Sequence, residues 1–149
     1  MTPAELERYL HEHIPLSRAM QITVVAADDT QVELTAPLAP NINHRDTVFG
    51  GSASAIAILA AWSLVHTRLA RSGRHARLVI QRNTMAYDEP VAGAFGARSA
   101  VDEAAWRSFV RMLDRKGLAR ITVGATLLDA GRAAGRFEGD FVALVQASR

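Results

Sequence analysis

The sequence predicts an α+β domain in which an antiparallel sheet of about six strands wraps one long, buried helix. Three features predict it. A glycine pair, Gly50-Gly51, opens a segment that carries no charge from Val48 to Val65. Six β-rich segments come in sequence-adjacent pairs between the helical ones. Two further helical segments show a single apolar stripe, which suits a short N-terminal helix and an outer helix.

Taken in order, "TPAELERYLHEHI" offers Thr2 as N-cap and Pro3 at the first helical position, with Leu6, Tyr9, Leu10 and Ile14 at helical spacing. Pro15 ends that helix. "MQITVVAA" and "TQVELTAP" read as strands about a turn at Asp28-Asp29-Thr30. The central helix is expected from Ser52 to Arg71, with Arg68 and Arg71 suited to its C-terminal dipole and Gly73 as its stop. It is apolar nearly all round, so it must be enclosed. Ala53, Ala55, Ala57, Ala60 and Ala61 allow a sheet to approach it closely.

"HARLVIQRNTMAY" and "VAGAFGARSAV" follow as two strands joined at Asp88-Glu89-Pro90. The outer helix starts at the N-cap Asp102, carries the stripe Trp106, Phe109, Val110 and Leu113, and stops at Gly117. "LARITVGATLLD" and "AAGRFEGDFVALVQA" form a final hairpin around Ala130-Gly131, and Gly93, Gly96, Gly124 and Gly135 are placed to let the sheet curl.

At 149 residues the chain has room for one domain, residues 1–149, with a proper core. The formal net charge is +2 and Lys116 is the only lysine; the arginines are scattered, which argues against a nucleic-acid surface. With no cysteine, disulfide scaffolds, thiolate metal sites and cysteine nucleophiles are excluded. The charged N-terminus does not read as a secretory signal. The uncharged run approaches the length of a membrane span, yet its Gly, Ser and Ala content and its mid-chain position favour a core helix. A cytoplasmic protein that does not enter a membrane is the expectation.

"NHRDTVFGGS" is similar to the Asn-x-x-Gly-[Asp/Thr]-x-Phe-Gly-Gly segment of acyl-CoA hydrolases with the hotdog fold. "YDEPVAGAFGA" resembles the strand–turn–strand after the helix of such proteins, and "AGRFEGDFVAL" their last strand. With "IPLSRAMQI", the likeness runs from Leu10 to Val145 and is closest to a branch of thioesterases also found fused behind acetyltransferase domains. The resemblance implies an acyl-CoA or acyl-carrier-protein thioester as substrate, no cofactor, and a homodimer or higher homo-oligomer.

Thioester hydrolysis needs a polarised carbonyl and an activated water or a carboxylate nucleophile. A helix N-terminus supplies the first through free N–H groups and its dipole. Gly50, Gly51 and Ser52 are thus the oxyanion donors expected here, with Phe49 beside them in the motif and Asn43 at the position of the motif's Asn. The helix carboxylate usual in the resembled hydrolases falls at Ile58, and no Asp or Glu occurs from Thr47 to Tyr87. Asp46, which stands in place of the motif's Gly, is the candidate base, with His44 as the alternative since imidazole titrates near neutrality. Asp88 or Glu89 of a neighbouring subunit is a third source. Asp46 is equally readable as a turn residue, and Asn43 as a loop-satisfying amide.

Arg74, Arg77 and Arg82, near the first strand after the helix, are placed to meet carrier phosphates, although scattered arginines are more often simply solvated; Arg82 is the candidate retained. "HEH" at residues 11–13 lacks metal-ligand spacing on a helix, and His66 and His75 read as surface residues. "GSASA" is not a nucleophile elbow, and neither a metal nor a P-loop pattern occurs. Two other readings stay open: a non-catalytic acyl- or pantetheine-binding module, and a hydratase or dehydratase of the same fold.

Overall fold

The computed structural model describes residues 1–146. Its elements are α1 (Pro3–His13), α2 (Pro15–Ala19), β1 (Thr23–Ala27), β2 (Gln31–Ala36), α3 (Gly50–Arg71), β3 (Ala76–Tyr87), β4 (Phe95–Ala100), α4 (Glu103–Lys116), β5 (Leu118–Asp129) and β6 (Arg132–Val145), with a 3₁₀ turn at Ala39–Asn41. One six-stranded antiparallel sheet, ordered β1-β2-β4-β5-β6-β3, curls around α3. This is the expected α+β hotdog architecture. The last strand ends at Val145, and Ala147 of the expected final segment lies outside the described residues.

Helix α3 is the core. Ile56, Ala57, Ala60, Ala61, Leu64 and Val65 are completely buried, and each large aliphatic side chain so placed stabilises the fold by about 1.5–3 kcal/mol. The helix is long and apolar enough to pass for a membrane span, but most of it is enclosed by the sheet. Alternating burial along β5 turns Ala119, Ile121, Val123, Ala125 and Leu127 inward against it. Two glycines permit the tight curl: a Cβ on Gly96 would lie 2.5 Å from the Leu34 carbonyl oxygen, and one on Gly135 2.6 Å from that of Ala86.

The strands on either side of Asp88-Glu89-Pro90 are consecutive in sequence but not neighbours in the sheet. Among the described residues β3 pairs only with β6, and β4 lies between β2 and β5. That leaves β3 as an edge strand with an unpaired backbone face. Pro15 ends α1 as expected and also starts α2, because a proline suits a first helical turn as well as it disrupts an interior.

A capping box between Thr2 and Glu5 starts α1. The Glu7 carboxylate accepts from the Val24 amide at 2.8 Å, and His11 Nε2 meets the Ile22 carbonyl at 2.8 Å, so α1 is fastened to β1. At the other end, Arg68 donates to both Glu103 oxygens (2.8 and 3.0 Å) and lies 4.5 Å from the centre of the Trp106 ring. That fork holds the start of α4 against α3, and it keeps the Glu103 carboxyl below its usual range.

Candidate active site at the start of the central helix

The segment from Asn41 to Phe49 is a closed loop built by its own amides. Ile42 and Val48 form an antiparallel bridge, and the Phe49 amide donates to the Asn41 carbonyl at 2.8 Å. Asn43 organises the interior. Its Oδ1 accepts from the amides of Arg45 (2.8 Å) and Thr47 (3.1 Å), while its Nδ2 donates to the Thr47 hydroxyl at 2.9 Å. Asn43 therefore shapes the loop with its whole side-chain amide.

Asp46 occupies the turn with φ 61°, the left-handed region. Glycine is the default there and aspartate is among the few residues that tolerate it, which explains why the two exchange at this position of the motif. Asp46 and its neighbour His44 are exposed, and neither lines the cavities described below.

Phe49 is the N-cap of α3 and offers no capping side chain. The amides of Ser52 and Ala53 both donate to the Phe49 carbonyl (2.9 and 3.1 Å), so the Ser52 amide is engaged. The first two amides, Gly50 and Gly51, have no acceptor among the described residues. These are the two donors at the positive end of a 22-residue helix. Gly51 has a steric reason as well: a Cβ there would fall 2.3 Å from Cε2 of Phe49, whose ring folds back over the glycine.

Two cavities adjoin this terminus. One, of about 300 Å³, lies against α2 and is lined by Leu16, Met20, Asn41, Phe49, Gly51 and Ala55 among others. The second, of about 230 Å³, lies against the β3–β4 connection and is lined by Thr47, Val48, Ala53, Tyr87, Asp88 and Glu89 among others. The chain thus brings its own Asp88 and Glu89 beside the helix start, where the sequence reading looked to a neighbouring subunit for them. Asp88 is bound by Arg136 (3.2 and 3.3 Å); Glu89 has no cationic partner among the described residues.

Tyr87 and Asn41 are not among the sequence-derived candidates, yet both support the helix start. Tyr87 donates to the Gly50 carbonyl at 3.1 Å, and the buried Asn41 Nδ2 binds the carbonyls of Met20 and Pro37. Only a long-range contact reveals the first, whereas the second belongs to a recognisable Pro-x-x-Pro-Asn turn. Arg82 sits on exposed β3, opposite Asp140, and lines neither cavity. Among the described residues no cluster of His, Asp and Glu could hold a metal ion.

A curled antiparallel sheet around a helix whose glycine start is left open defines a hotdog domain of the thioesterase type. The chain belongs to the family described as "Putative thioesterase (yiiD_Cterm)", which it matches over residues 3–145. Among solved structures it is similar to a protein of unknown function from Chlorobaculum tepidum, at 29% identity and TM-score 0.91, covering 97% of this chain and 98% of that one. It is similar also to a "putative thioesterase" from Shewanella oneidensis, at 27% identity and TM-score 0.86, with coverage of 95% and 96%. A Pseudomonas aeruginosa protein titled "Probable Thioesterase" shares the fold at 20% identity, TM-score 0.80 and 97% coverage of both chains.

Proposed function

We propose that this protein hydrolyses an acyl-CoA or acyl-carrier-protein thioester. The observation that carries the reading is the pair of unengaged amides at Gly50 and Gly51, at the start of an apolar helix beside two cavities, one of which Gly51 lines. Bound there, the thioester carbonyl oxygen accepts from both amides. Water attacks the carbonyl carbon, a base takes its proton, and the tetrahedral oxyanion rests on the helix start. Collapse breaks the carbon–sulfur bond, and the thiolate leaves with the proton that the base held.

Asp46, His44, Asp88 and Glu89 are the candidate bases. The cavity lining favours Glu89, since Asp88 is tied to Arg136 and the other two stand outside both cavities. The unpaired edge of β3 supports a homodimer in which two such strands join.

Steady-state release of free thiol from a panel of acyl-CoAs tests the reading, with Glu89→Gln and Asp46→Ala beside the wild type. Turnover that one carboxylate variant abolishes, with its melting temperature unchanged, is the expected result. The absence of any acid between Thr47 and Tyr87 favours a second reading, a non-catalytic acyl-binding module. Saturable acyl-CoA binding without turnover on any substrate would establish that reading instead.

A further inference from the structure

A further cavity lies at the opposite end of α3. It measures about 390 Å³ and is walled by α1 (Tyr9), α3 (Trp62, His66, Leu69) and the start of β3 (Arg77, Leu78), with Arg74 and His75 from the turn between them. His66 lies sixteen residues beyond Gly50, so about 24 Å separates the two along the helix axis. The glycine start of α3 and its two cavities do not reach this site.

Its walls combine flat rings with positive charge. Tyr9, Trp62 and His66 are nearly parallel: ring centres lie 5.0 Å apart for Tyr9–His66 and 4.5 Å for Trp62–His66. The indole is fixed in place, because Trp62 Nε1 donates to the Leu78 carbonyl at 3.0 Å. Among the described residues that line the cavity, Arg74 and Arg77 are cationic and none is acidic. The Asp114 carboxylate engages Arg74 from outside (2.9 and 2.8 Å), whereas Arg77 is exposed and has no acidic partner among the described residues. Burial holds His66 toward its neutral form, so its nitrogens offer one donor and one acceptor rather than a second unpaired charge.

We infer that this cavity is a second ligand site, taking a flat ring that bears an anionic group: the ring packs on the Tyr9–Trp62–His66 wall and the anion meets Arg77 and His75. Two sources share that chemistry, a nucleoside phosphate and an aryl carboxylate. The Trp62 indole, held by its bond to Leu78, gives the ring a fixed surface, and the exposed Arg77 is free to turn onto the anion.

The test is an NMR titration of the full chain with AMP, benzoate and inorganic phosphate in turn, read at the Trp62 indole N–H. Saturable movement of that resonance by AMP or by benzoate is expected, and which of the two acts identifies the source. Arg77→Glu is expected to weaken that binding by at least about tenfold, since it reverses the charge that meets the anion. Ala70→Leu, which narrows the cavity from the exposed side of the helix, is expected to weaken it as well. The inference falls if neither ring-bearing probe moves the Trp62 resonance at about 10 mM, a concentration that would reveal even millimolar affinity. Phosphate binding as tightly as AMP would also overturn it, as would affinity unchanged by Arg77→Glu. Because the readout is binding at Trp62, loss of the hydrolase reading would leave the inference standing.

Discussion

The phenolic hydroxyl of Tyr87 donates to the carbonyl of Gly50 at 3.1 Å, joining the last residue of β3 to the first residue of α3. The edge strand and the polarising end of the helix are thereby held in register, and Asp88 and Glu89 are carried to the helix start. Tyr87→Phe removes the bond and nothing else. An exposed bond of this kind contributes about 0.5 kcal/mol to stability, so the melting temperature should barely change. The proposed hydrolase activity should fall several-fold, because the carboxylates lose their fixed position. Thermal denaturation beside kcat/KM separates the two effects.

Gly51→Ala places a methyl group where the Phe49 ring folds back. The ring is more than half exposed, so it swings outward at little cost in stability. The cavity against α2 loses that wall, and the expected outcome is a raised KM with a nearly unchanged melting temperature. Phe49→Ala added to Gly51→Ala should not raise KM further, which a double-mutant cycle checks.

At Gly96 the obstacle is backbone. A Cβ 2.5 Å from the Leu34 carbonyl oxygen forces β2 and β4 apart one pair from the end of their ladder. Gly96→Ala should therefore cost stability at the upper end of the range of about 1–3 kcal/mol for overpacking, measured by urea denaturation.

His66 carries a pH dependence. Burial, and then the charge of His13, holds its pKa below 6.5 in the folded chain. The unfolded chain binds the proton more readily, so stability falls as pH drops through the range just below 6.5 and is constant above it. His66→Gln should flatten that slope in urea denaturation between neutral pH and pH 5. An equal slope in wild type and variant would refute the assignment.

The fold was legible because its main signal is local. Gly50-Gly51 followed by an uncharged run has few outcomes other than a buried helix, and paired β-rich segments around it leave little choice but a wrapping sheet. The sequence predicts the start of α3 at Ser52, whereas the helix begins at Gly50; glycine has poor helix propensity, yet here it supplies the free amides. Strand order was not legible. Nothing in "HARLVIQRNTMAY" states that its partner is β6, because pairing is decided by how the sheet closes around the helix.

The same limit applies to the site. The loop motif pointed to Asn43 and Asp46, but the bonds that make Asn43 a loop organiser depend on the turn as folded. His66 looked like a surface residue on the helix alone. Tyr9 of α1 covers it, and that contact joins positions 57 residues apart in sequence.

The central claim is that the amides of Gly50 and Gly51 receive the substrate carbonyl. A titration of ¹⁵N-labelled protein with a non-hydrolysable acyl-CoA analogue, in which a ketone replaces the thioester, tests it most directly. The account predicts saturable downfield shifts of those two amides, while the distant amide of Gly117 stays in place. Saturable binding that leaves Gly50 and Gly51 unmoved would contradict it.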